Sequence, residues 1–593
     1  VVAMASVLIT MGLLIVTGNT VHIMSSMIPV FIMPIAVLDA VHMLSDFHDR
    51  YPRIRDRHAA LRQVMQELWK PMLFTSLTTA AGFGSLALAD IPPIQVFGVF
   101  VAIGVMLAWV LTVTLVPAYI MSLKPATLDS FGRTPDRNSG ALPRLGQFSY
   151  RSAKPVLLAT LALYGVAVYG LTRIHINDNP VHWFKPDHDI RVADRVLNQA
   201  FAGTYMAYIA LDAGQATEQA VPAGLLEELK PEVRAVLLPA QTLPAMSALA
   251  EERKNSAETD AEFAAWEDAL VVLDRAKQQA EVFKSPEVLR WMEGLQQYLL
   301  TTGHVGKSNS LNEIVKTVHR ELQQGAATQY RIPATPEAVA QTLLTFQSSH
   351  RPNDLWHFVT PDYRSSVIWL QLNSGENRDM TAVVNAVDQY VAAHPAPVAL
   401  QLDWFGLTYI NAVWQQKMVS GMLLSFASSF IVVLIMLTLL FRSPLWGMLS
   451  MVPLTMTIGL MYGLIGLLGI DYDMPIAVLS SMALGLAVDY AIHFVARSRE
   501  IRHRHPSWQA ALPEVFGEPA RAIFRNVVVV GVGFTPLIFA PLIPYQTVGI
   551  FISMILLISG LASLIILPAL ITLFEKWLFR QPAEKTVTLE VAS

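Results

Sequence analysis

The chain has no cysteine, which excludes disulfides, thiolate nucleophiles and cysteine metal sites. Charge is scarce. Only 15% of the 593 residues are Asp, Glu, Lys or Arg, against about 25% in an ordinary soluble domain. The net charge of −4 offers no basic surface for nucleic acid. A nucleotide-binding loop is missing too. Gly303-His-Val-Gly-Lys-Ser308 has two residues between its glycines, where a phosphate-cradling loop needs four. ATP drive is therefore not expected. His42, Asp46 and His48 match no strong ligand spacing, and no Ser-His-Asp constellation can be assembled. No metal, no cofactor and no enzymatic reaction are expected. The opening apolar run, Val1 to Val16, has no charged segment ahead of it and does not read as a signal peptide.

What the chain does have is long apolar runs. It is 53% hydrophobic, with a mean hydropathy of +0.43. Segments able to cross a bilayer, which takes ~20 apolar residues, fall at 1–17, 24–46, 71–91, 95–121, 153–171, 418–440, 446–468, 474–496, 522–543 and 546–575. Ten spans are thus expected. Lys and Arg gather in alternate connections: 47–70, 122–152, Arg442, 497–521 and the tail after Lys576. The short loops near 18–23, 92–94, 469–473 and 544–545 hold none. The positive-inside bias assigns the basic connections to the cytoplasm and the long segment 173–417 to the outside.

Segment 122–152 is polar and turn-rich, and reads as a cytoplasmic linker between two halves. Segment 173–417 reads as an aqueous α+β domain. Its strand-like runs are Tyr205–Leu211, Ser366–Leu372 and Val398–Leu407. Its helical patterns are Ser285–Leu300, Ser310–Leu322 and Arg378–His394, the second opening on a Ser310/Glu313 capping box. The Ala/Glu/Gln-rich stretch 215–283 reads as a helical insertion.

Residues 1–118 overlay 452–569 without a gap: Gly12, Gly18, Gly82 and Gly98 fall on Gly463, Gly469, Gly533 and Gly549, and His42 falls on His493. Both blocks run in the same direction. This is a parallel repeat, whose interface commonly holds the coupling site of a transporter. Segment 1–17 corresponds to 452–468, so counterparts of 153–171, of the aqueous domain and of 418–440 are missing ahead of it. Either the chain is N-terminally truncated or its two halves are truly unequal; truncation is expected, since Val1 starts inside a helix with no initiator Met.

Ionisable residues lie inside the spans. Asp489 and His493 are four apart and share a helix face. Asp39 and His42, on the matching segment, are three apart and do the same. In the repeat register Asp39 meets Tyr490 and Asp489 meets Leu38, so the acids are one position out of step at nearly one depth. A charged side chain at bilayer depth costs at least ~2.5–3.5 kcal/mol on insertion scales. Such residues need a partner or a wet cavity. A carboxyl there can gain and lose a proton and so shift the packing of two helices. Asp489, Tyr490 and Asp39 are expected to form a proton relay, with His493 and His42 toward the cytoplasmic end as support.

Lys70-Pro-Met-Leu-Phe-Thr-Ser-Leu-Thr-Thr-Ala-Ala-Gly-Phe83, Ile91-Pro-Pro-Ile-Gln-Val-Phe-Gly98 and Leu115-Val-Pro-Ala118 resemble the RND superfamily. The likeness is to its MMPL and hopanoid-exporter-like branch, related to sterol-sensing-domain proteins. Gly485-Leu-Ala-Val-Asp-Tyr-Ala-Ile-His493 resembles that branch's Asp-Tyr motif. Asn177-Asp-Asn-Pro180 and Val305-Gly-Lys-Ser-Asn-Ser-Leu311 resemble its porter domain. The resemblance implies a twelve-helix proton antiporter of the inner membrane that exports lipids or other hydrophobic molecules. It also implies that the first two helices and the first porter domain are missing here. Asp489 and Tyr490 carry over as relay residues. Asp39-Ala40 stands where the family has a second Asp-Tyr pair, so the role of Asp39 carries over less directly. Homo-oligomers and periplasmic accessory partners are compatible with the resemblance. The alternative is a sterol-sensing-like protein that binds lipid without transporting it.

Overall fold

The computed structural model describes residues 1–123, 141–214, 224–240 and 242–579. It divides into two compact units, residues 1–185 with 414–593, and residues 186–413.

The first unit is a helical bundle. Its elements are α1 (Val2–Val16), α2 (Ile28–Ile54), α3 (Arg57–Gly84), α4 (Pro92–Ser122), α5 (Ala141–Arg151) and α6 (Ala153–Leu171). After the second unit come α7 (Leu407–Phe441), α8 (Pro444–Leu468), α9 (Met474–Arg504), α10 (Trp508–Val515), α11 (Glu518–Gly533) and α12 (Ile543–Leu578). Nine stretches among the described residues are long and apolar enough to span, one fewer than expected. The difference is α1, whose 15 residues reach only about 22 Å at 1.5 Å per residue, short of a ~30 Å hydrocarbon core.

The repeat is visible in the element boundaries. Carried into the second half, α2 falls on α9, α4 on α12, and the 3₁₀ turn Ser85–Leu88 on the turn Thr535–Phe539. One difference is local: α3 is continuous, whereas its counterpart breaks into α10 and α11 at Phe516–Gly517. The packing is exchanged between halves, with α9 against α3 and α2 against α11. A pseudo-twofold arrangement requires this exchange.

At the centre lies α9, whose residues Met474 to Ile492 are all buried. Asp473 caps it, its carboxylate accepting from the Ile476 N–H at 3.0 Å. Pro453 and Pro117 sit inside helices α8 and α4, as membrane helices tolerate.

The expected linker 122–152 is not all irregular. Residues 124–140 lie outside the described residues, but α5 is an amphipathic helix. It buries Leu142, Gly146 and Ser149 at helical spacing and packs on α10 and α12. Residues 580–593, expected as a tail, also lie outside the described residues.

The second unit holds a four-stranded antiparallel sheet in the order β2-β3-β1-β4. Its strands are β1 (Tyr205–Asp212), β2 (Val305–Asn309), β3 (Ser365–Leu372) and β4 (Gln401–Phe405). Alternate residues of β1 and β3 are buried, as a sheet with one covered face requires. Ile209, Ile368 and Leu370 meet Leu289, Met292, Leu295, Met380 and Val383 from the helices Pro286–Thr301 and Asn377–Ala393. The capping box of Ser310 and Glu313 is formed. One strand is shorter than expected, and one was not expected. The run 398–407 is a strand only over Gln401–Phe405, and the false phosphate loop is strand β2, pairing with β3.

The described part of the insertion is four helices: Leu225–Glu228, Pro231–Leu237, Leu243–Asn255 and Asp260–Ala280. They enclose a core of their own around Leu237, Met246, Trp266 and Leu273.

Candidate functional site

The polar residues singled out in the spans converge on the contact between the halves. Helix α9 can approach α3 closely because Gly82 faces Gly485. A Cβ on Gly82 would lie 2.9 Å from the Gly485 backbone. The approach lets Thr79 Oγ1 donate to the Gly485 carbonyl at 2.9 Å, a cross-helix bond of the kind that joins membrane helices.

One turn along α9, Asp489 is 7% exposed, and Asp39 on α2 is likewise 7% exposed. Both carboxyls are enclosed by protein rather than facing lipid, and they lie close enough to interact electrostatically. Asp39 accepts a hydrogen bond from Ser76 Oγ of α3 at 3.3 Å. Oδ1 of Asp489 is buried with no hydrogen-bond partner among the described residues. Tyr490 is buried beside Asp489. The acid of the other half bonds to Ser76 and not to Tyr490.

A turn beyond the acids, the rings of His42 and His493 stack, and the Asn526 amide of α11 approaches His42, Nδ2 to Nδ1 3.2 Å. Both histidines line a polar cavity of about 640 Å³ at the arginine-rich end of the bundle. Its wall includes a ladder of ion pairs. Arg50 of α2 forks onto Glu67 of α3 at 2.8 and 2.7 Å. Glu67 accepts from Arg497 of α9 at 3.2 Å, and Arg497 reaches Glu500 at 2.8 Å. The ladder thus runs from one half of the repeat to the other.

All five candidate residues, Asp39, His42, Asp489, Tyr490 and His493, belong to this region. Sequence reasoning missed Ser76, Thr79, Glu67 and Asn526. For the first two a signal existed: Thr75-Ser-Leu-Thr-Thr79 is dense in hydroxyls for an apolar span. For Glu67 and Asn526 it did not, since the partners that join them to the other half, Arg497 and His42, lie hundreds of positions away. Among the described residues no group of three or more His, Asp or Glu is arranged to hold a metal.

These features define a multi-pass membrane protein with a repeated helical bundle, acids at the interface of its halves and one α+β unit. The MMPL family model matches residues 1–156 and 274–589, and the chain belongs to that family, the branch its motifs resemble. The gap in the match, residues 157–273, takes in most of α6, strand β1 and most of the helical insertion. The chain is similar to a putative membrane protein of Methanocaldococcus jannaschii, 26% identical over 216 residues, 36% of this chain and 56% of that one. It is also similar to the apo-petrobactin exporter of Bacillus anthracis, 27% identical over 289 residues, 45% of this chain and 36% of that one. The matches thus span about half or less of these relatives' length. Among solved structures, the hedgehog release protein Disp of the water bear Hypsibius dujardini has a similar fold. Its TM-score is 0.54 at 15% identity, over 93% of this chain and 63% of that one.

Proposed function

We propose that this chain is the core of an RND-type exporter. Protons moving through the bundle drive lipids or other hydrophobic molecules out across the plasma (inner) membrane of a bacterium. Asp489, Tyr490 and Asp39 carry the protons, and His42 and His493 connect them to the arginine-lined cavity. In this reading that cavity opens to the cytoplasm, as the positive-inside bias has it, and residues 186–413 form an extracytoplasmic porter domain. The exporter activity printed for the Bacillus anthracis relative supports the transport class.

One observation carries the reading. Two carboxyls from opposite halves are buried within electrostatic reach of each other in the heart of the bundle. Two neighbouring anions in low dielectric repel, so a single proton between them favours one helix packing, and its loss favours another.

The test is Asp489→Asn in liposomes with an imposed proton gradient, following a fluorescent phosphatidylethanolamine analogue. Asn keeps the size and loses the titration. Transport is expected to stop while the protein remains monodisperse. Transport at the wild-type rate removes the relay, whereas a wild-type protein that binds the lipid analogue and moves none leaves the lipid-binding, non-transporting alternative.

A further inference from the structure

Helix α9 carries more than its relay residues. Every fourth residue from its cap onward reads Asp473, Ala477, Ser481, Gly485, Asp489, His493, Arg497. Such i+4 neighbours form one ridge of a helix. The ridge is polar or small throughout and joins the two ends of the bundle. Asp489 and its histidine connect to the arginine-lined cavity at one end. The other half of the ridge, from Asp473 to Asp489, has no role in the function proposed above.

We propose that this half is the proton entry route, with Asp473 as the station that takes protons from the side of the bundle opposite the arginine-lined cavity. The inference rests on the proton-relay reading of Asp489.

The geometry supplies successive groups. One oxygen of Asp473 is held by the Ile476 N–H, which leaves the other to carry the proton. The Tyr462 hydroxyl of α8 feels the Asp473 charge, reaches Ser480, and donates to the Ile476 carbonyl at 2.7 Å. Ser481 follows, fully buried, with an Oγ that has no hydrogen-bond partner among the described residues. An unbonded buried hydroxyl costs roughly 1–3 kcal/mol. Where the ridge has only Gly485, Thr79 of α3 places a hydroxyl at that level. The next orphaned oxygen is Oδ1 of Asp489. Tyr462 and Thr79 now donate to backbone carbonyls, so in transit each must turn its O–H from the carbonyl toward the next group, accepting a proton on one side as it releases its own on the other. One proton is delivered and no group is consumed.

The groups facing Asp473 favour a neutral form. Asp178, in the turn after α6, and Asp471 on the same loop both act on it with like charge. Tyr472 and Tyr462 are its aromatic neighbours. Burial pushes the Asp473 carboxyl up to about 7, with Asp178 and Asp471 adding to the shift. An acid poised there exchanges protons readily near neutral pH.

The repeat argues against a purely structural role. At the equivalent positions of the first half stand His22 for Asp473, Met11 for Tyr462 and Val30 for Ser481. The same fold is built there without the hydroxyls, so packing does not demand them.

The experiment uses the full chain in liposomes with an entrapped pH-sensitive dye, and varies pH on the side facing Asp473. Wild-type proton flux should rise as that pH falls through about 7 and then level off. In Asp473→Asn the step should vanish and flux at pH 7 fall by about a hundredfold, the lower end of the effect of losing one proton-transfer group. Asn also caps helices well, so the α9 N-terminus is retained, and Asp473→Glu should restore the step. An unchanged profile in Asp473→Asn overturns the proposal. Should that variant not fold, Ser481→Ala decides, because it removes a hydroxyl that has no hydrogen-bond partner among the described residues. Slower flux supports the route, and wild-type flux overturns it. Asp489→Asn is run beside these. If it carries protons normally, the relay itself has failed. If it is dead while Asp473→Asn is normal, only the entry route has failed.

Discussion

The imidazole rings of His42 and His493 stack with centroids 4.7 Å apart and 22° between their planes. They occupy equivalent positions in the two halves of the repeat and mark where the pseudo-twofold brings α2 and α9 together. They also line the polar cavity. If they pass protons between Asp489 and that cavity, His493→Gln should slow gradient-driven transport without the complete loss expected for Asp489→Asn. The comparison of the two rates in liposomes checks this. Equal rates for His493→Gln and wild type leave the histidines as packing groups.

Glu67 ties the halves through Arg50 and Arg497. Hydrogen bonds to charged groups are worth about 1.5–3 kcal/mol each when buried. Glu67 is one-third exposed, so screening reduces that. Glu67→Gln is expected to cost about 1–2 kcal/mol and to lower the melting temperature in detergent, less so at high salt. A double-mutant cycle with Arg497→Gln should show coupling between sites 430 positions apart.

Gly82 tests the α3–α9 contact. A Cβ there meets backbone atoms of Gly485 and Ser481 at 2.9–3.0 Å, and backbone does not rotate aside. Gly82→Ala should force the helices apart at a cost of about 1–3 kcal/mol. It should also weaken the Thr79–Gly485 bond. Thermal unfolding measures the loss. By contrast Gly12→Ala, where nothing lies within 4 Å, should be neutral or better.

Asp473 gives a pH dependence with a definite sign. Burial pushes its folded carboxyl up to about 7 from the ordinary 3.8. Between those limits the folded state holds more protons than the unfolded one, so stability falls as pH rises from about 4 to about 7 and is flat above. Asp178, also raised by burial, adds in the same direction. One pKa unit is about 1.4 kcal/mol of differential interaction between the two protonation states. Melting curves at pH 5 and pH 8 should separate for wild type and draw together in Asp473→Asn.

Much of this architecture was written in local pattern. Apolar runs of twenty or more residues specify membrane helices because backbone groups in hydrocarbon must be satisfied within the segment. Glycines in matching positions reveal the repeat: Gly82, Gly98, Gly533 and Gly549 sit where close approach leaves little room for a side chain, and Gly18 and Gly469 where the backbone φ is positive. The acids at 39 and 489 stand out because burying charge is costly. Local pattern misjudged α5, where polar composition hid a 3.6-residue periodicity in Leu142, Gly146 and Ser149. It also missed β2, a short strand whose polar residues are stabilised by pairing with β3.

Tertiary structure alone decided which groups meet. Ser76 on Asp39, Asn526 on His42, and Glu67 between Arg50 and Arg497 join residues from separate helices, and no spacing along the chain encodes them. Sequence set which side chains must avoid lipid. The packing of α2, α3, α9 and α11 set where they could go, since each of these polar atoms can be satisfied only by a partner on another helix.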